Sequence, residues 1–310
     1  MRRLAHYGLA FSILFGLWYF DRLRLEDFVR AGLDWGWTIA SLALFLPIYV
    51  LGALRLQCIL RGMKVECSYR QALSFTCFGV LGELALPFII GGDLVKAVYV
   101  GRSSNRSTAV ASVLADRIIG LLGLCVFALL AAAMQVPLIL EDERLLRVIL
   151  LLVALAGSVL AGCVVLVCFQ RSASSWMRRL LGVVPGGDKL PSVLRVLKEL
   201  CRGPHLWTSL LFSVLGHAVW VMAVICLAQA LNLNPPLVPT LLVLPIVIFC
   251  NTLSFAGGIG GGLLAFEYLF HHVLGAAPGD GARLGVALPI VLTLSKAYAL
   301  PWLFVAGKEA

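Results

Sequence analysis

The chain has 310 residues, of which 61% are hydrophobic and only 13% charged, and its mean hydropathy is +0.97. Those values exclude an ordinary soluble domain and define an all-α polytopic membrane protein. The formal charge of +9 does not describe a nucleic-acid binder, because the basic residues gather in short segments between apolar stretches.

The first apolar stretch, 6–20, follows Arg2 and Arg3 and resembles a signal peptide. No small-x-small cleavage site follows it, and the next residues are Asp21 and Arg22, so it reads as a retained first span. Stretches of ~20 apolar residues, the length that crosses a ~30 Å hydrocarbon core, come at 36–54, 109–136, 148–169, 208–231 and 285–306. The segment 55–70 carries Arg55, Arg61, Lys64 and Arg70 against Glu66, whereas 137–147 is acidic. In 170–207, Leu194, Leu197 and Leu200 interleave with Arg195, Lys198 and Arg202, which predicts an amphipathic helix on the membrane surface. Basic loops stay cytoplasmic.

Two further stretches are broken. Residues 72–100 are interrupted by Pro87, Gly91 and Gly92, and residues 240–275 by SFAGGIGGG at 254–262. Read as one straight span, 72–93 would place Arg102, Arg106 and the basic 170–207 outside and the acidic 137–147 inside. If each broken stretch instead turns back within the membrane, every later loop falls on its expected side. The expected architecture is therefore about six full spans plus two broken re-entrant helical hairpins in an inverted repeat. The first repeat covers about 36–136 and the second about 208–306, joined by the cytoplasmic linker 170–207, with both termini cytoplasmic. Hairpins of this kind point to a transporter with its site near the midplane. The plainer alternative is two ordinary helical hairpins with glycine turns.

Charged side chains within spans are costly to insert and mark function by default. The candidates are Glu83, Asp93, Lys96, Asp116, Arg117, Glu267 and Lys296. Around the first break, Gly91 and Gly92 are expected to turn the chain and Asp93 to N-cap the following half-helix, with Lys96 one turn on. Asp93 would order that turn, pair with Arg117 or meet a cationic part of a ligand. Asp116 and Arg117 are adjacent, ~100° apart on a helix, and cannot neutralise each other. Arg117 offers bidentate recognition of phosphate, unless it snorkels to the interface. Glu267 and Lys296 each need a partner, and each is a candidate for the other. Asn251, before the second break, and His217 with Trp220 are softer candidates for site or interhelical bonding.

Nine cysteines without a C-x-x-C pair and five histidines without ligand spacing give neither a disulfide framework nor a metal site. Residues 257–262, GGIGGG, follow no strand and lack the spacing of a dinucleotide fingerprint. No cofactor and no catalytic residue is expected.

The run PFIIGGDLVKAVYVGRSSNRSTAVASVLADRIIGLLGL, with the second break SFAGGIGGGLLAFE, resembles the lysylphosphatidylglycerol synthetase transmembrane (flippase-like) family, without the aminoacyl-transferase domain fused to some relatives. The resemblance implies movement of amino-acylated or glycosylated lipids between leaflets, with Asp93, Arg117 and Glu267 in a headgroup cavity. The expected function is a translocase for an aminoacyl or glycosyl phospholipid, or a polyprenyl-phosphate sugar, in the plasma (inner) membrane. Its partner would be an anionic or phosphate-containing membrane lipid, not nucleic acid, with a second copy of the chain or cell-envelope synthesis enzymes as protein partners. The alternatives are an integral membrane glycosyltransferase or transferase subunit acting on polyprenyl phosphate, for which Glu26 and Asp27 are an acidic pair, and a non-transporting assembly partner.

Overall fold

A computed structural model describes residues 32–85, 89–141, scattered positions within 143–161, 199–200, 203–253 and 261–302. The expected spans at 6–20 and, for the most part, 148–169 lie outside the described residues, as do nearly all of the linker and the acidic pair Glu26 and Asp27. Among the described residues the elements are α1 (Trp35–Gly62), α2 (Tyr69–Ala85), α3 (Ile89–Ser103), α4 (Arg106–Ala133), α5 (Val136–Glu141), α6 (His205–Ala230), α7 (Leu237–Leu253), α8 (Gly261–His272) and α9 (Asp280–Ser295). A 3-10 turn, Lys296–Ala299, continues α9. Four of the described helices, α1, α4, α6 and α9 with its 3-10 turn, are long and apolar enough to cross a membrane. The chain is a multi-pass helical membrane protein.

Local chemistry closes the far ends of α1 and α6 in the same way. Asp34 caps α1 by accepting from Gly36 N at 2.8 Å and Trp37 N at 3.2 Å. At its far end α1 closes with Lys64 at φ 60, and α6 closes with Asn232 at φ 56. In both, the residue after the left-handed one reaches back to the last turn: Val65 N to Leu60 O and Leu233 N to Ala228 O, each at 2.9 Å. The helices run antiparallel, tied at one end by Asp34 N to Ala230 O at 3.0 Å and midway by Ser41 Oγ to Ala223 O at 2.8 Å. At the other end Gly62 faces Leu200 and His205.

Two pairs of shorter helices open toward opposite ends of this axis. Leu56 and Leu60 of α1 pack on Ala72 and Phe75 of α2 and Val100 of α3, and Phe78 stacks on Tyr99 with ring centroids 4.4 Å apart. The α2–α3 pair therefore opens where α1 ends. The α7–α8 pair opens where α6 ends, and there Arg283 near the start of α9 donates to Leu231 O at 3.1 Å. Packing partners repeat between the halves: α7 rests on α4, and α2 rests on the turn that extends α9. The main core, with Phe45, Val221, Leu227, Leu242, Phe266, Leu284 and Leu288, joins both halves.

Four expectations change. Gly91 and Gly92 do not turn the chain; they lie inside α3, which starts at Ile89, and neither has positive φ. Asp93 is accordingly the fifth residue of that helix rather than its N-cap. Pro87 and its neighbours, 86–88, lie outside the described residues, between α2 and α3. The glycines instead allow close contact: a Cβ built on Gly92 would lie 2.6 Å from Gly79 O and 2.7 Å from Glu83 Cγ. Gly92→Ala is thus expected to lower detergent stability by about 1–3 kcal/mol through overpacking; an unshifted thermal unfolding midpoint would contradict the contact. Finally, α1 continues to Gly62, so Arg55 belongs to a helix and not to a loop, and the last helix begins at Asp280 and leaves α geometry at Lys296.

Candidate functional site: an ionic cluster among five helices

Asp93 and Lys96 are one turn apart on α3 and so share the face that meets α4. Asp116 and Arg117 are neighbours on α4, and the two helices pair their charges crosswise. Arg117 Nε donates to Asp93 Oδ2 at 2.6 Å, and Lys96 Nζ donates to Asp116 Oδ2 at 3.1 Å. The other Asp116 oxygen accepts from Arg55 Nε of α1 at 2.7 Å. Arg55 also donates from Nη1 to Ser213 Oγ of α6 at 3.3 Å. His217, one turn further along α6, bonds through Nε2 to Gly120 O at 3.0 Å. At the tip of α2, Glu83 pairs with Lys296 Nζ at 3.2 Å, and next to it Tyr49 OH and Ser295 Oγ are 2.8 Å apart.

Burial divides the cluster into an anchor and a mouth. The Asp116 side chain is 6% exposed, whereas those of Arg117 and Glu83 are 39% and 41% exposed. Two half-buried cations on one buried carboxylate make Asp116 the tie between α1, α3 and α4. Arg117 and Glu83 are the most exposed charges of the cluster.

The expected pairing of Glu267 with Lys296 does not form. Glu267 is buried on α8 and accepts from Gly279 N at 3.1 Å and Ala282 N at 3.0 Å, so its carboxylate caps the start of α9 from a neighbouring helix. Gly281, between those donors, lets the α9 backbone lie against Phe266 and Glu267. Asn251 near the end of α7 presses on Gly262 at the start of α8 and belongs to that hairpin contact. Trp220 packs against the core. Among the expected residues, then, Glu83, Asp93, Lys96, Asp116, Arg117 and Lys296 come together, Gly91 and Gly92 are buried in the α3 helix that carries two of them, and Glu267 and Asn251 sit elsewhere.

Arg55 is the member that sequence reasoning missed. Its position just past an apolar stretch made it a loop cation; the signal that it was not is the apolar run Leu56, Cys58, Ile59 and Leu60 after it. An open groove of about 770 Å³ lies at the α1–α2 loop, away from the cluster, lined by exposed Arg61, Lys64, Glu66 and Gln71. Solvated side chains of both signs there carry no comparable chemistry.

A helical membrane protein with interlocked ion pairs between its spans is the class that this geometry defines. Residues 6–301 match the family described as the lysylphosphatidylglycerol synthase TM region, and the chain belongs to that family. Its function is accordingly a membrane-lipid-related one. No curated protein and no solved structure matched the chain.

Proposed function

We propose that the chain moves a lipid-linked headgroup, such as an aminoacyl or glycosyl phospholipid or a polyprenyl-phosphate sugar, from one leaflet to the other. The observation that carries this reading is the ionic cluster where the tip of the α2–α3 pair meets α1, α4, α6 and the end of α9. Charges within spans are retained where they face a wet cavity or each other, and Arg117 and Glu83 are open enough to meet a polar headgroup while its tails stay in lipid. The family supplies the lipid; the cluster supplies both signs of charge for phosphate and for hydroxyl or amine groups.

On this reading the two short-helix pairs are re-entrant hairpins of an inverted repeat, and the bundle has about six spans in the plasma (inner) membrane with cytoplasmic termini. The matching ends of α1 and α6, the opposed openings of the hairpins and the reciprocal packing of α7 on α4 and α2 on the α9 extension support it. Arg106→Cys is expected to react with a membrane-impermeant maleimide only after permeabilisation; labelling of intact cells from outside would refute the re-entrant arrangement.

Lipid extracted from the purified protein tests the reading chemically. Mass spectrometry is expected to find a phosphate-containing lipid with the wild-type chain and much less of it with Arg117→Ala. Transfer of a sugar from polyprenyl phosphate without lipid movement would instead establish the transferase alternative.

A further inference from the structure

Among the described residues the cluster is not electrically balanced: four cations, Arg55, Lys96, Arg117 and Lys296, meet three carboxylates, Glu83, Asp93 and Asp116. The excess sits at Asp116, whose single charge is shared by Arg55 and Lys96. The undescribed stretches 86–88 and 254–260 contain no ionisable side chain. Every acid outside the described residues, namely Asp21, Glu26, Asp27, Asp142, Asp188 and Glu309, lies in segments flanking the apolar stretches. Glu267 does not offset the excess either, because it faces the start of α9, 16 residues long, and Lys296 lies past its other end, ~24 Å away at ~1.5 Å per residue. A surplus charge held between spans is costly unless water, backbone carbonyls or an anion meets it, and an anion does so most strongly.

The two cations at Asp116 also keep donors in reserve. A guanidinium carries five N–H groups and an ammonium three. Arg55 uses Nε on Asp116 and Nη1 on Ser213, and Nη2 has no partner among the described residues. Lys96 Nζ has one partner there, Asp116. Their side chains are 20% and 17% exposed, shielded yet reachable from the mouth formed by Arg117 and Glu83.

We propose that Arg55 and Lys96, held by their shared carboxylate, form a receptor for one phosphodiester monoanion of the lipid headgroup. One unit of negative charge closes the balance, and a diphosphate would overshoot it. The proposal rests on the lipid-translocase reading and names the residues and the charge state of its cargo.

The test is native mass spectrometry of the full chain in detergent with short-chain phosphatidylglycerol, a monoanionic phosphodiester, and with diacylglycerol, which has the same tails and no phosphate. The wild type is expected to retain one phosphatidylglycerol in preference to diacylglycerol. R55Q and K96Q should each weaken phosphatidylglycerol retention about tenfold and leave diacylglycerol unchanged. D116N, which doubles the surplus, should strengthen phosphatidylglycerol retention several-fold, and it decides the matter alone if R55Q does not fold. Unchanged retention in a folded R55Q, or weaker retention in D116N, would overturn the proposal. Retention needs no transport: Arg55-dependent binding without leaflet exchange would count against the translocase reading alone, and exchange without Arg55 dependence against this receptor alone.

Discussion

Arg117→Ala is expected to slow leaflet exchange about 100-fold while leaving the protein folded and monodisperse in detergent. A hydrogen bond to a charged group contributes roughly 1.5–3 kcal/mol, and each ~1.4 kcal/mol is tenfold in an equilibrium. Arg117 stands at the open side of the cluster, 39% exposed, with its Nε on Asp93. Alanine removes the headgroup contact and leaves Asp93 without its cation, so that the remaining field repels a phosphate. Arg117→Lys keeps the charge but not the planar fork and should fall between the two. Exchange in vesicles reconstituted with each variant, compared at equal folded protein, is the measurement; wild-type rates in Arg117→Ala would make the residue a structural tie only.

Glu267→Ala is expected to act on stability first. Its carboxylate accepts from the backbone N–H groups of Gly279 and Ala282, and the residue is 9% exposed. Truncation leaves both donors buried without that acceptor, at roughly 1–3 kcal/mol each, and loosens the seam where Gly281 brings α9 against α8. Glu267→Gln keeps one carbonyl acceptor and should lose about half as much. Thermal unfolding in detergent reads this directly. A variant that unfolds at the wild-type temperature but no longer exchanges lipid would return Glu267 to the headgroup site that the sequence suggested.

Those two residues also show what the sequence makes legible. Composition and the ~20-residue apolar runs are enough for a helical membrane bundle, because hydrocarbon leaves the backbone few other options. The Asp93–Arg117 pair was foreseeable, since an acid and a base within adjacent apolar helices have few other partners. For Glu267 and Lys296 the same logic misled, because a buried carboxylate is also satisfied by the N–H groups of a neighbouring helix start, and no spacing rule announces that. Gly91 and Gly92 misled for a related reason: glycine serves positive φ and close helix approach alike, and only the presence of Gly79 and Glu83 opposite selects the second. Arg55 stayed hidden because charge counting assigns basic residues beyond an apolar run to the loop, whereas α1 carries it two turns deep. What required three dimensions was in each case the identity of a partner, not the presence of a group that needed one.

The most direct measurement is the rate at which a fluorescent phosphodiester lipid, inserted in the inner leaflet of reconstituted vesicles, becomes accessible to a membrane-impermeant quencher outside. The wild-type chain is expected to speed that exposure well above protein-free vesicles, with Arg117→Ala close to the protein-free rate. Equal rates with and without the wild-type protein, for aminoacyl, glycosyl and polyprenyl-phosphate headgroups alike, would contradict the translocase account.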